Sequence, residues 1–298
     1  MNISESYLPI SLHIEAEIGE AFISLLSLAQ NLCKNYSSEE IVVGGEDDWM
    51  VISGIDEITL DAFCSDLRKL ETPKFQIGQP SINYRCVLPE ARKHKYRHNF
   101  VSSSETGFIE VSVLIEPGNL TGNSTLNSKM LKHKLDPGIR SGLLMGFNSV
   151  SSPSYTPLFD FQATLLSIDY DIRDSRSGHF FTAGRETLLN AYSRREFQLV
   201  EPLAEAQIKA PSKHTQKVKA DILSRRGRIE EIHQKSGTST ILAFVPISNM
   251  FGYENSLRAM TDGNGRLTKR FSHFSKVPVS FDFDPFPEPA RAALKKPA

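Results

Sequence analysis

Apolar and polar residues alternate through residues 10–18 (ISLHIEAEI), the period of a half-buried strand. The period then lengthens, and Phe22, Leu25, Leu26, Ala29 and Cys33 fall on one side of a helix over residues 19–34. Two short strands are predicted next, at 40–43 and 50–53, joined by the turn Gly44-Gly45-Glu46-Asp47. Gly54 ends this pair, and Leu60, Phe63, Cys64 and Leu67 mark a second amphipathic helix. A β-rich stretch at 75–88 closes the unit. The order is βαββαβ, an antiparallel sheet with both helices on one face.

The same order returns near the other end. Residues 204–211 (AEAQIKAP) alternate as a strand, and Val218 and Ile222 line the buried side of a helix over 213–225. Gly227 stops that helix, and a strand runs through 228–233. Lys235-Ser236-Gly237 turn the chain into the β-rich run 239–245. Met250, Tyr253, Leu257 and Met260, spaced three, four and three, predict the second helix. Asp262-Gly263-Asn264-Gly265 then lead into a last strand at 266–274. The segment between the copies opens with a basic run, Arg92-Lys93-His94-Lys95-Tyr96-Arg97-His98. It contains strands at 107–115 and 159–168, a polar loop at 118–128 and a helix at 177–194, which together suggest an α/β unit. This gives an α+β chain with units at 1–88, 89–203 and 204–282, and a Pro-rich tail at 283–298.

Charge sharpens that division. Residues 1–88 hold 5 Lys and Arg against 14 Asp and Glu, whereas residues 204–298 hold 16 against 9. A basic end on a balanced chain suits a polyanion, and the acidic end would stay off it. Solvated faces that merely differ in sign would give the same count. The N-terminal residues lack the basic start and apolar stretch of an export signal. No run approaches the length of a membrane span, so the chain reads as cytoplasmic with no membrane partner.

Catalytic chemistry finds little purchase. No G-x-x-x-x-G-K-[ST] loop is present to cradle phosphates, and Gly44-Gly45 precedes two acids that would repel them. The turn at 262–265 leads into a strand, as a hairpin-type turn does, and not into a helix N-terminus. His94 and His98 could share a helix face, but lysine and arginine neighbours disfavour a metal ion. Asp169, Asp171 and Asp174 cluster, yet counting from Asp169 the glycine and glutamate places of a calcium loop hold Asp174 and Phe180. Cys33, Cys64 and Cys86 lack C-x-x-C spacing, and the first two fall on apolar helix stripes. No G-x-S-x-G occurs. No catalytic residue, metal or cofactor is expected.

Several segments, in the right order, resemble elongation factor G. VPISNMFGYENSLRAMTDGNGRLTKRFSHFSKVP (245–278) is similar to the family's V-P-L-x-x-M-F-G-Y-x-x-x-L-R-S-x-T-x-G-x-G segment and the strand after it. DILSRRGRIEEI (221–232) resembles D-L-x-S-R-R-G-x-I-x-x-M, and LVEPL (199–203) resembles the L-L-E-P-I junction. GQPSINYR (78–85) matches G-K-P-x-V-x-Y-R-E, and 53–70 is a degraded form of S-G-M-G-E-L-H-L-x-x-x-x-x-R-L. The resemblance covers the family's domains III, IV and V. It implies two ferredoxin-like sandwiches flanking a domain of the ribosomal protein S5 domain 2-like type, without the GTPase and β-barrel domains.

By that resemblance the C-terminal unit meets large-subunit rRNA on the ribosome. Arg225, Arg226 and Arg228, with Lys269 and Arg270, would then supply a basic edge for phosphates; a solvated helix end is the plainer reading of the arginines. The domain IV tip would fall on Asp169, Tyr170, Asp171, Arg173, Asp174 and Ser175. Where the family carries a histidine that approaches mRNA and tRNA, this chain carries Asp171, an acid that would repel phosphate. The expectation is a ribosome-binding relative without its own nucleotide turnover, with room for a GTPase partner acting in trans. The alternative is a diverged protein-interaction module working through the acidic N-terminal third, or a remnant.

Overall fold

The computed structural model describes residues 8–16, 19–46, 49–70, 73–101, 106–120, 124–128, 135–150, 156–171 and 177–278. Near the N-terminus, β1 (Ile10–Ala16), α1 (Glu20–Cys33), β2 (Ile41–Glu46), β3 (Trp49–Gly54), α2 (Glu57–Lys69), β4 (Phe75–Ile77) and β5 (Ser81–Ile82) follow in order. They build an antiparallel sheet in the order β2-β3-β1-β4, with β5 also pairing with β1. Ile10, Leu12 and Ile14 of β1 face inward beside Met50 and Ile52, and both helices close that face with Phe22, Leu25, Leu60, Phe63 and Leu67. Asp56 starts α2, its carboxylate accepting from the Thr59 N–H at 2.7 Å. The expected turn at Gly44 is displaced: Gly44, Gly45 and Glu46 continue the ladder opposite Val51, Met50 and Trp49. A Cβ on Gly45 would strike the Trp49 carbonyl, so the strand keeps its glycine for close approach and not for a bend.

The middle of the chain forms β6 (Arg85–Val87), β7 (Arg92–Val101), β8 (Thr106–Pro117), β9 (Thr125–Asn127), α3 (Pro137–Asn148), β10 (Phe161–Tyr170) and α4 (Ser177–Ala191). Its sheet runs β7-β8-β10-β9, with β9 parallel to β10. The basic run at 92–98 is a strand whose positions alternate between half-buried and exposed. His94 and His98 therefore share the helix-covered side of a strand, not a helix face. Strand β9 lies within the expected polar loop, and α3 has no counterpart in the periodicity reading. Its glycines explain why: a Cβ on Gly146 would meet the Phe181 carbonyl, and one on Gly184 would meet the Leu143 carbonyl. Helices α3 and α4 approach through absent side chains, which leave no apolar stripe to count. Helix α4 ends at Ala191, before its expected end, and Ser193 caps a 3-10 turn at Arg194–Glu196 instead.

The last portion comprises β11 (Gln198–Pro211), α5 (Thr215–Ser224), β12 (Arg228–Lys235), β13 (Thr238–Pro246), α6 (Tyr253–Met260) and β14 (Arg266–Lys276). The sheet order β12-β13-β11-β14 repeats the N-terminal order strand for strand, and β6 pairs with the start of β11. Ala206, Ile208 and Ala210 of β11 face Ile241, Ala243 and Val245 of β13, covered by Val218, Ile222, Tyr253 and Leu257 from the helices. Two compact units result. The residues up to Asn83 together with Glu201–Phe274 form one, and Tyr84–Val200 the other. Among the described residues no helix is long and apolar enough to cross a membrane.

Candidate nucleic-acid interface

The end of α5 is held by two arginines in different ways. Arg225 donates from Nε to Asp221 Oδ2 at 2.8 Å and from Nη1 to the Asn249 carbonyl at 2.8 Å. Its guanidinium lies 4.6 Å from the Tyr253 ring centroid. Asn249 Nδ2 donates back to the Arg225 carbonyl at 2.8 Å, so the helix end and the 3-10 turn at Ile247–Asn249 bracket each other. Arg226 adopts a left-handed φ of 62°, unusual for a residue with a side chain. It grips Glu201 with both terminal nitrogens, at 2.6 and 2.8 Å. Glu201 is only 3% exposed, so the pair holds a carboxylate out of water. Gly227 completes the turn, because a Cβ there would press on the Ile222 carbonyl and on Val245.

The other three predicted cations are placed differently. Arg228 opens β12 with a side chain 72% exposed, bonded to Glu230 at 2.7 Å and 5.6 Å from the Phe244 ring centroid. Lys269 and Arg270 lie on β14, the opposite edge of the sheet from β12. Lys269 pairs with Glu57 of α2, and Arg270 lays its guanidinium on Glu205 at 2.9 and 3.0 Å. The structure thus brings Arg225 and Arg226 together at one helix end and sets Lys269 and Arg270 across the sheet. All five have a carboxylate partner. Exposed pairs of the Arg228 and Arg270 kind are worth about 0–1 kcal/mol, so a phosphate can compete for them. The Arg226–Glu201 pair is a fixture of the fold.

Sequence reasoning missed Glu201 and Asn249, the two groups that turn these arginines inward. A signal was present for the first: a single acid inside the apolar run LVEPL has to be paired if it is buried. Asn249 gives no such signal.

Met250, Phe251, Gly252 and Tyr253 divide their work. Helix α6 begins at Tyr253, after Gly252 at a φ of 65°, so Met250 belongs to the preceding turn and not to the helix stripe. Met250 and Tyr253 fill the C-terminal core. Phe251 packs with Ala204, Ile247 and Phe271 against the core of the N-terminal copy. Burial, with Asp221 nearby, keeps the Tyr253 hydroxyl protonated far above its ordinary range. The motif is a joint between the two copies.

Of the residues expected at a tip, Asp169 and Tyr170 end β10 opposite Glu110 and Ile109. The Tyr170 ring stands edge-on to Phe180 at 5.3 Å, and the Asp171 N–H donates to the Phe108 carbonyl at 3.1 Å. Arg173, Asp174 and Ser175 lie outside the described residues. Beside Asp169, Glu110 is held by Lys95 at 2.6 Å. Burial pushes the Cys64 thiol up to about 11, and Cys86 donates its thiol to the Thr156 carbonyl. Both therefore sit as thiols in the core. Among the described residues no three His, Cys, Asp or Glu side chains gather as a metal site would require.

Residues 198–282 match the family model described as elongation factor G C-terminus. Elongation factor G of Neorickettsia sennetsu is 27% identical over 250 residues, which is 83% of this chain and 36% of that protein. Elongation factor G of Granulibacter bethesdensis is 28% identical over 281 residues, 90% of this chain and 39% of that protein. The chain therefore spans well under half the length of these relatives. A crystal structure from Thermus thermophilus superposes with a TM-score of 0.65 at 19% identity, covering 92% of this chain and 41% of that one, a likeness of fold.

Proposed function

We propose, on the premise that this chain is a relative of the C-terminal portion of elongation factor G, that it binds the ribosome through its C-terminal copy and turns over no nucleotide itself. One observation carries the reading: the family match at 198–282 falls on the βαββαβ copy that holds the excess of basic residues. We take 1–88, 89–203 and 204–282 as counterparts of domains III, IV and V, working in the cytoplasm. Large-subunit rRNA is the partner for the third. Arg228 and Arg270 can exchange their carboxylates for phosphate, whereas Arg225 and Arg226 set the shape of the module. A GTPase partner acting in trans is compatible with this reading.

The test is co-sedimentation with ribosomes at low salt, paired with calorimetry against GTP. Pelleting that weakens as salt rises, with no heat of GTP binding, is the expected result. Saturable GTP binding would remove the non-catalytic half of the proposal. Absence of pelleting would favour the second reading, a protein partner at the acidic N-terminal copy. That reading draws on Trp49, Ile23 and Ile58, which are exposed there at 45%, 47% and 76%.

A further inference from the structure

In the C-terminal copy both helices cover one face of the sheet, and the other face has a composition of its own. Its outward positions are Glu205, Gln207 and Lys209 on β11 and Thr240, Leu242 and Phe244 on β13, alternating with the buried set. Arg228 stands opposite Phe244 across the β12–β13 ladder. On the far side, the His273 ring meets Phe244 edge-on at 5.2 Å. An aromatic ring therefore lies on an inner strand of this face, at the end of the β12–β13 ladder, between an arginine and a histidine. Lys209 and Gln207 are exposed further along β11. The acids here each have a partner: Glu205 accepts from Arg270, Glu230 from Arg228, and Glu231 bonds the His233 ring.

We infer that this open face is a binding platform for single-stranded RNA, with Phe244 as the surface on which a base stacks. The inference rests on the ribosome-binding reading above and adds a stacking surface for bases beside the phosphate contacts Arg228 and Arg270. A βαββαβ sheet with an aromatic on a central strand supplies what single strands need. One π-face stacks an unpaired base, and cations track the backbone on both sides. Duplex RNA hides its bases and offers Phe244 nothing to stack on. A protein ligand would use the same face through apolar burial alone, and the surrounding Arg228, Lys209 and Arg270 argue against that occupant.

The test measures fluorescence anisotropy of a labelled oligouridylate of about ten nucleotides, beside a hairpin duplex, for the full chain and two variants. Wild type should bind the single strand in preference to the duplex. Phe244→Leu, which keeps apolar bulk and loses the ring, should weaken single-strand binding by about tenfold, and Phe244→Tyr should restore it. Equal binding of Phe244→Leu and wild type, or a preference for the duplex, would overturn the inference. So would no single-strand binding at low salt. Ribosome pelleting on the same preparations separates the two failures: if pelleting persists while the single-strand preference is absent, only the platform is wrong.

Discussion

On its central strands the N-terminal copy turns His13, Glu15, Val51 and Trp49 outward; the C-terminal copy turns out Glu205, Gln207, Lys209, Leu242 and Phe244. The strand order is the same, and so is the placing of two helices on the opposite face. Yet one copy carries a large acidic excess and the other a basic one. The topology decides which positions point outward and leaves the choice of partner to the residues that occupy them. Stability is treated differently too. The N-terminal copy ties β1 to β3 with a neutral bond between Ser11 and Ser53, at 2.8 Å, whereas the C-terminal copy buries an ion pair.

Removing the ion pair should separate the two copies most widely. Arg226→Ala leaves the Glu201 carboxylate buried and unpaired, and should cost about 3–5 kcal/mol in urea unfolding. The neutral Ser53→Ala change in the other copy should cost about 1 kcal/mol. If the two variants unfold alike, Glu201 is not held as described. Next in size are the glycines. Gly227→Ala forces a Cβ onto the Ile222 carbonyl, and Gly54→Ala meets only the Leu60 side chain. Both fall in the range of about 1–3 kcal/mol, with Gly227→Ala the larger, by thermal melts.

The joint between the copies comes third. Lys269→Met should cost about 1 kcal/mol by loss of the Glu57 pair. Phe251→Ala should separate the unfolding of the two copies by calorimetry, because its ring packs against the core of the other copy. A single unchanged transition would mean that the copies are not coupled through this motif.

The smallest effects concern acid. Lys69 and then Tyr36 hold the Asp66 carboxyl below the ordinary carboxylate range, and Lys213 with His214 does the same for Asp262. Each native carboxylate takes up its proton at lower pH than the unfolded chain does. Its contribution is complete above about pH 4 and is lost as pH falls through the folded value. Asp66→Asn and Asp262→Asn should each slightly flatten the acid limb of a stability-versus-pH curve, by similar amounts in the two copies. A steepened limb in either variant would contradict the assigned partners.

Both βαββαβ orders were legible because their apolar spacing changes period at each element, as at Phe22 and Leu25 or at Val218 and Ile222. The C-terminal stretch could be read further, since Met250 to Tyr253 and the Arg225-Arg226-Gly227 turn follow a long pattern. Residues that act through distant partners escaped. Lys269 meets Glu57 across 212 positions, and Arg226 finds Glu201 only after β11 and α5 have folded together. Strand β7 was hidden because its inward residues, His94, Tyr96 and His98, are polar-tipped and its outward ones are basic. Alternation of burial there has no matching alternation of hydrophobicity.

One measurement bears most directly on the division of labour between the copies. It is ribosome co-sedimentation of two charge reversals in the full chain, Lys209→Glu on the C-terminal open face and Lys74→Glu in the N-terminal copy. Both lysines are exposed, so neither change should disturb folding. The expected result is loss of pelleting for Lys209→Glu and wild-type pelleting for Lys74→Glu. Equal loss in both, or loss in Lys74→Glu alone, would contradict the account.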